Sequence, residues 1–468
     1  MHRFTAKCTV LTPMPDCPPV YAQDHVRFLP LLLLASALIL AGCGGGGGGE
    51  DVAVSSTPPP TSQTSIEAEA ARPENLPQAI TFPASLTALA VFDVEVLEES
   101  GSVVSDLAPT VRRAVQTAKN AGGGIVRLPR GEFPLALDDT GTGVSIPSGV
   151  FLDLRGTILR LVATSRAHYN MFLFSEMGAP SGLIGGTLIG DRDRYLGRGG
   201  EWGMCVGVRG GGNISILHTK IFKCWGDGIY LGAASSGGVS TFATNVLIDG
   251  VEVGHNRRNN ISVVNAKGFT VRRSHLHNAR GTPPEAGIDL EPNEGGSVIN
   301  GIISDIVVEA NNRRGILIYG TAGEVSDIKL DRILARDNDV GLHLEHVRNV
   351  EATSLVSVGN GKEAAIFNNV NRVSVGHLEV GGKGPVQSAS RDSVVIRISD
   401  QVAFERISSK VLRLDKSLFS LRVLGSQRVS VVRLDPAEGR TPEKDVSVDS
   451  LSSAYIGGHK MESAPSAP

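Results

Sequence analysis

From residue 183 onward the chain alternates short aliphatic strands with Asn/Gly turns at a nearly regular interval, and this repeat constrains the fold more than any other feature. Gly228-Ile229-Tyr230-Leu231, Asn260-Ile261-Ser262-Val263, Gly287-Ile288-Asp289-Leu290, Gly315-Ile316-Leu317-Ile318, Gly341-Leu342-His343-Leu344 and Ala365-Ile366-Phe367-Asn368 align as equivalent segments. Their anchors Ile229, Ile261, Ile288, Ile316, Leu342 and Ile366 are 32, 27, 28, 26 and 24 residues apart. A second strand precedes most anchors by 14–16 residues, at Ile214, Val246, Ile302, Ile328 and Val350. The two tryptophans, in Trp202-Gly203 and Trp225-Gly226, lie 23 residues apart, as corner residues of successive coils would. Periods in the twenties with two or three strands each predict a parallel β-solenoid. Coils then stack about 4.8 Å apart and equivalent positions form columns. The Leu-x-x-Leu-x-Leu signature of leucine-rich repeats is missing, and a β-sandwich would not keep such columns.

Ahead of the repeat, Asp106 reads as a helix N-cap and Pro109 falls in the first turn, where its missing N–H costs little. Leu107, Val111, Ala114, Val115 and Ala118 follow helical spacing, and Gly122-Gly123-Gly124 ends the run. The stretch "DLAPTVRRAVQTAKNAGGGIVRLPRGEFPL" resembles the opening of the pectate-lyase-like right-handed β-helix superfamily. The resemblance, over about residues 103–430, implies an all-β fold: a single-stranded right-handed parallel β-helix with an N-terminal capping helix. It also implies an extracytoplasmic enzyme acting on polysaccharide, since lyases, hydrolases and epimerases share this scaffold. The Asn-Thr-Asp, Gly-His-Gly and Arg-Ile-Lys set of polygalacturonases is absent, as is the Trp-Ile-Asp-His block of pectate lyases. No catalytic assignment therefore carries over, and fold alone does not fix function.

Residues 28–42, "FLPLLLLASALILAG", are too short for a membrane span and suit a signal-peptide core. They end in Leu40-Ala41-Gly42-Cys43, which resembles a bacterial lipobox. The resemblance implies cleavage before Cys43, lipidation of its sulfur and an anchor in the cell envelope, at the outer membrane. The residues before this core, with Cys8, Cys17 and several prolines, are unusual for an n-region and point to a true start near Val26-Arg27. The expected organisation is a signal peptide (1–42), a Gly/Pro/Ser-rich tether (43–85), the β-helix (86–434) and a C-terminal cap or tail (435–468). With the signal removed and Cys43 lipidated, Cys205 and Cys224 remain, and they are expected to be buried small side chains, not a bonded pair. The charge of −3, from 45 basic and 48 acidic residues without a basic stripe, argues against a nucleic-acid partner.

The stretch "TPPEAGIDLEPNEGG" (282–296) places Glu285, Asp289, Glu291 and Glu294 around a strand, although acidic residues are poor strand formers. In the aligned segments the aliphatic anchors point inward, so alternate positions point outward. One outward column reads Tyr230, Ser262, Asp289, Leu317, His343, Phe367. The next reads Gly232, Val264, Glu291, Tyr319, Glu345, Asn369. Asp289 and Glu291 are expected side by side, their α-carbons about 6.5–7 Å apart. Crowding would raise the pKa of one, giving an acid, and leave the other as base or nucleophile.

Gly281–Glu285 is an insertion expected to wall a cleft, and "GDRDRYLGRGGEWG" (190–203) is expected to form another wall, with Asp191 structural. Asp227 opens a strand two rungs away, as a further acid or as a partner for turn backbone. Trp225, Tyr230, Arg257, Arg314, Tyr319, His343 and Glu345 are the expected substrate contacts. The leading reading is a glycoside hydrolase, with Asp289 and Glu291 as the working pair, Asp227 assisting and no cofactor. The alternative is a uronate lyase or epimerase, with Arg257 or His343 as base and Ca²⁺ held by Asp289, Glu291 or Glu345. A glycan-binding protein without turnover is the third reading.

Overall fold

The computed structural model describes residues 86–95, 105–381, 393–410 and 418–461. The expected signal peptide, Cys43 and the tether lie outside these residues.

Each coil contributes one strand to a twelve-stranded parallel sheet running from Thr142–Ser145 through Ile229–Gly232, Ile261–Val263, Ala286–Leu290, Arg314–Tyr319 and Val340–Glu345 to Val446–Val448. The chain then crosses to a twenty-stranded sheet and returns. One coil shows the reason. After Ala286–Leu290 the chain enters Ser297–Glu309, which bends at Asp305, where φ is +52°. The neighbouring coils bend at Arg273 (φ +49°) and Arg332 (φ +49°). In these three coils a short left-handed step turns the strand while its neighbours keep their ladder. Arg332 Nε donates to Asp305 Oδ1 at 2.5 Å, which ties two of these corners together.

Inside, the columns of Ile, Leu and Val form one continuous buried core from Val94 to Ile456. The helix Ala108–Asn120 closes one end, burying Ala108, Val111, Val115 and Ala118. Asp106 starts it in a modified way: the flanking residue is Leu107, and Asp106 Oδ1 accepts from the N–H groups of both Ala108 (2.9 Å) and Ala136 (2.8 Å). Arg112 donates to the carbonyls of Gly143 (2.7 Å), Ala136 (3.0 Å) and Thr142 (3.2 Å), satisfying backbone acceptors at the end of the solenoid. Past residue 434, where the sequence loses the repeat spacing, Val446–Val448 and Ala454–Ile456 add a strand to each sheet. Among the described residues no helix is long and apolar enough to cross a membrane.

Three expectations need correction. The register holds from Ile229 to Leu342, but Leu342 then pairs with Ala365 and His343 with Ile366. Ile366 and Asn368 therefore continue the outward columns, not Phe367 and Asn369, and Phe367 is buried in the core. In the second sheet Gly301, not Ile302, shares the column of Phe269 and Ile328. A Cβ on Gly301 would meet the Phe269 ring at 2.3 Å, so the large ring of one coil fills the place left by the next. Finally, Cys205 and Cys224 form a disulfide, with α-carbons 5.7 Å apart. Consecutive coils bring the two together.

Candidate active site

Asp289 stands in the outward column of Ala286–Leu290, with Ser262 on one side and Leu317 on the other. It is nonetheless only 1% exposed. Cover comes from the turn 255–260 of the preceding coil. Asn259 there is wholly buried and acts as a hub. Its amide nitrogen donates to Asp289 Oδ2 at 2.9 Å and to Ser262 Oγ at 3.0 Å, and its amide oxygen accepts from Ala286 N at 2.9 Å. The other oxygen, Asp289 Oδ1, is buried and has no hydrogen-bond partner among the described residues. Such an orphan is costly in a core and common at working sites.

Burial, followed by the charge of Glu291, pushes the Asp289 carboxyl up to about 8, against the pull of Arg258 and the Asn259 hydrogen bond. Glu291, half-buried, is also held above the usual carboxylate value by burial, with Arg258 opposing. Asp289 thus carries its proton near neutrality beside a second carboxyl, the arrangement acid–base catalysis requires.

Asp227 is fully buried and satisfied: Oδ1 accepts from Asn259 N at 3.0 Å and Oδ2 pairs with Arg258 Nη1 at 3.0 Å. Its two oxygens serve the turn backbone and Arg258. Burial opposes the Arg258 charge, but Asp227, Asp289, Glu201 and Glu291 together raise its pKa above the usual guanidinium value. Arg258 Nε lies 3.6 Å from Glu201 Oε2, and Nη1 donates to Ser262 Oγ at 3.4 Å.

The expected Arg257 points elsewhere. Its guanidinium lies 4.0 Å from the Trp225 ring centre and donates to Gly200 O at 2.8 Å. Tyr195 stacks on the same indole at 3.8 Å. With Arg257 and Tyr195 both packed on its ring, Trp225 anchors the 190–203 segment to the coils and is not an open sugar platform. Asp191 is structural in that segment, accepting from the Tyr169 hydroxyl and from Thr164 N (3.1 Å). The exposed aromatic is Trp202, 43% exposed and stacked on His168 at 4.5 Å. Tyr230, half-buried, has Arg209 4.6 Å from its ring centre, and burial raises its hydroxyl pKa. The insertion is held by Glu285, which accepts from Gly281 N (2.6 Å) and Asn312 Nδ2 (2.6 Å).

A second polar group lies two rungs beyond Asp289, about 9–10 Å along the axis. His343 Nε2 pairs with Glu345 Oε2 at 3.0 Å, and Arg314 Nε donates to His343 Nδ1 at 3.4 Å. Burial, then Arg314, lowers the His343 pKa, which keeps the ring neutral at neutral pH. Tyr319 pairs in register with Glu345 at the strand ends. Asp289, Glu291 and Glu345 therefore belong to two separate groups. Among the described residues the one set of three or more His, Cys, Asp or Glu with ligand atoms all within 4.8 Å lies elsewhere. Arg258 supplies positive charge among the carboxylates.

Sequence reasoning weighed Arg257-Arg258 as a pair suited to a uronate carboxylate but singled out Arg257, and it missed Asn259, Glu201 and a place for Trp202 beside the site. The signals were the polar run Arg257-Arg258-Asn259-Asn260 ahead of a strand and the Glu-Trp pair that ends the loop.

The coils and the capping helix define the class: an all-β right-handed parallel β-helix. Residues 203–332 match the family model described as the right-handed β-helix region. Bacteriophage phi29 gene product 12 shares the fold at a TM-score of 0.51 and 15% identity, covering 79% of this chain and 57% of that one. In sequence the chain is 27% identical over 293 residues to the SPbeta prophage-derived protein YorA of Bacillus subtilis, covering 55% of this chain and 47% of that protein. It is 28% identical over 184 residues to mannuronan C5-epimerase AlgE1 of Azotobacter vinelandii, covering 35% of this chain and 13% of that protein. The chain spans less than half the length of either relative.

Proposed function

We propose that this chain is a polysaccharide-active enzyme in which Asp289 delivers a proton and Glu291 is its ionised partner. The observation that carries this is the buried, proton-holding Asp289 with its unpartnered Oδ1 beside Glu291. In glycoside hydrolysis Asp289 protonates the leaving oxygen, while Glu291 activates water or attacks the anomeric carbon. Asn259 fixes the Asp289 rotamer, and the Arg258 charge opposes the rise that burial imposes on Glu291. Trp202 offers an apolar face to a sugar ring at the rim.

A second reading is favoured by one observation. The likeness to a mannuronan C5-epimerase, together with a neutral His343 near Arg314, suits proton abstraction beside a uronate carboxylate. Elimination or C5 inversion would follow. Cys43 lipidation and residence in the outer membrane complete the proposal, supported by the Leu40-Ala41-Gly42-Cys43 motif alone.

The test is a panel of neutral and uronate polysaccharides, with and without Ca²⁺. Reducing ends, ultraviolet absorbance of unsaturated products and solvent deuterium incorporation are followed together. Reducing ends alone support hydrolysis; ultraviolet signal supports a lyase; deuterium without chain cleavage supports an epimerase. Glycan retention without any turnover rejects the enzyme in favour of a binding protein.

A further inference from the structure

Away from this site, on the second sheet, two imidazoles and a carboxylate converge on the outer face of neighbouring coils. Glu252, in the strand Glu252–Gly254, pairs in register with His275 of Ala266–His277. Leu276 points into the core, so its neighbours His275 and His277 both project outward. Ligand atoms of Glu252, His275 and His277 all lie within 4.8 Å of one another. The two rings stack at 4.5 Å and are 9% and 8% exposed.

An independent observation points to a missing ligand. His277 Nε2 is buried and makes no hydrogen bond among the described residues, with Glu252 Oε1 3.6 Å away. Its Nδ1 is already held by Asn278 Nδ2 at 2.9 Å. Turning that amide over makes Nδ1–H a donor to Oδ1, the outer support that metal-bound imidazoles carry. On the next coil Glu309 Oε1 lies 2.7 Å from His275 Nε2, a further oxygen beside the trio.

We propose that Glu252, His275 and His277 bind one divalent transition-metal ion of the zinc type, clamping two coils together. Two imidazoles and a carboxylate suit zinc or cobalt and not calcium or magnesium, which prefer oxygen. Ligand bonds of about 2.0–2.2 Å require the trio to close by side-chain movement of roughly 1 Å. The Lys220 Nζ contact with Glu252 Oε2, at 2.8 Å, leaves Oε1 for the ion.

The whole chain, stripped with chelator, is titrated with Zn²⁺ by calorimetry and with Co²⁺ by visible absorption. The expected result is one equivalent bound, a tetrahedral Co²⁺ band and a higher melting temperature with Zn²⁺. Glu252→Gln, a partly exposed position, should stay folded by circular dichroism yet weaken binding by about tenfold or more. His275→Ala with His277→Ala should abolish the band. A missing band at one equivalent, or unchanged affinity in folded Glu252→Gln, overturns the site.

Discussion

At the scale of single residues, the buried network around Asp289 is asymmetric in what it tolerates. Among the described residues Arg258 is the one cation paired with Asp227, which is fully buried. Arg258→Met leaves that carboxylate and its neighbours uncompensated, and should cost about 3–5 kcal/mol. A guanidinium chloride midpoint lowered with unchanged slope is the expected readout. Asp289 sets a pH dependence of definite sign. Its folded pKa stands above its unfolded value, so its contribution is complete below the ordinary carboxylate range and is lost as pH rises towards about 8. Between those limits the wild type should lose up to ~1.4 kcal/mol per pH unit from this group. Asp289→Asn should flatten that part of the stability profile; parallel profiles would contradict a protonated Asp289.

Asp289 and Glu291 were legible in the sequence because strand alternation fixes which side chains leave the core. Arg258 was not, because Arg257 and Arg258 lie in a turn, where no period tells which one reaches the carboxylates. The disulfide was hidden for a similar reason: the corner geometry that brings Cys205 to Cys224 is invisible until the coils are stacked.

Among elements, the capping helix was readable almost residue by residue, from its apolar spacing, its proline and its terminal glycines. Its work is to seal an end that would otherwise expose strand backbone and core. Leu107, 1% exposed, donates its N–H to Pro134 O at 2.9 Å and packs its side chain into the core. Leu107→Ala should cost about 2–5 kcal/mol, read by thermal or denaturant unfolding. A change below 0.5 kcal/mol, the range of ordinary surface substitutions, would show that the cap does not hold the end. The strand columns were equally legible until small residues took inward positions. Ala365 and Gly301 broke the aliphatic pattern, and at Gly301 the Phe269 ring supplies the missing volume. A column search keyed to Ile and Leu passes over such exchanges.

For the whole molecule, the proposed lipid anchor is open to a direct test. If Cys43 is the lipidated residue, Cys43→Ser should move the protein from the membrane fraction to the soluble fraction, with no change in melting temperature. Retention in the membrane fraction would remove the anchor from the account.

The most direct test of the central claim compares wild type with Asp289→Asn on the polysaccharide panel, over a pH range. Turnover is expected with an alkaline limb near the Asp289 pKa of about 8, and loss of about 10²–10⁴-fold in Asp289→Asn without loss of glycan binding. Undiminished turnover in a folded Asp289→Asn variant would contradict it.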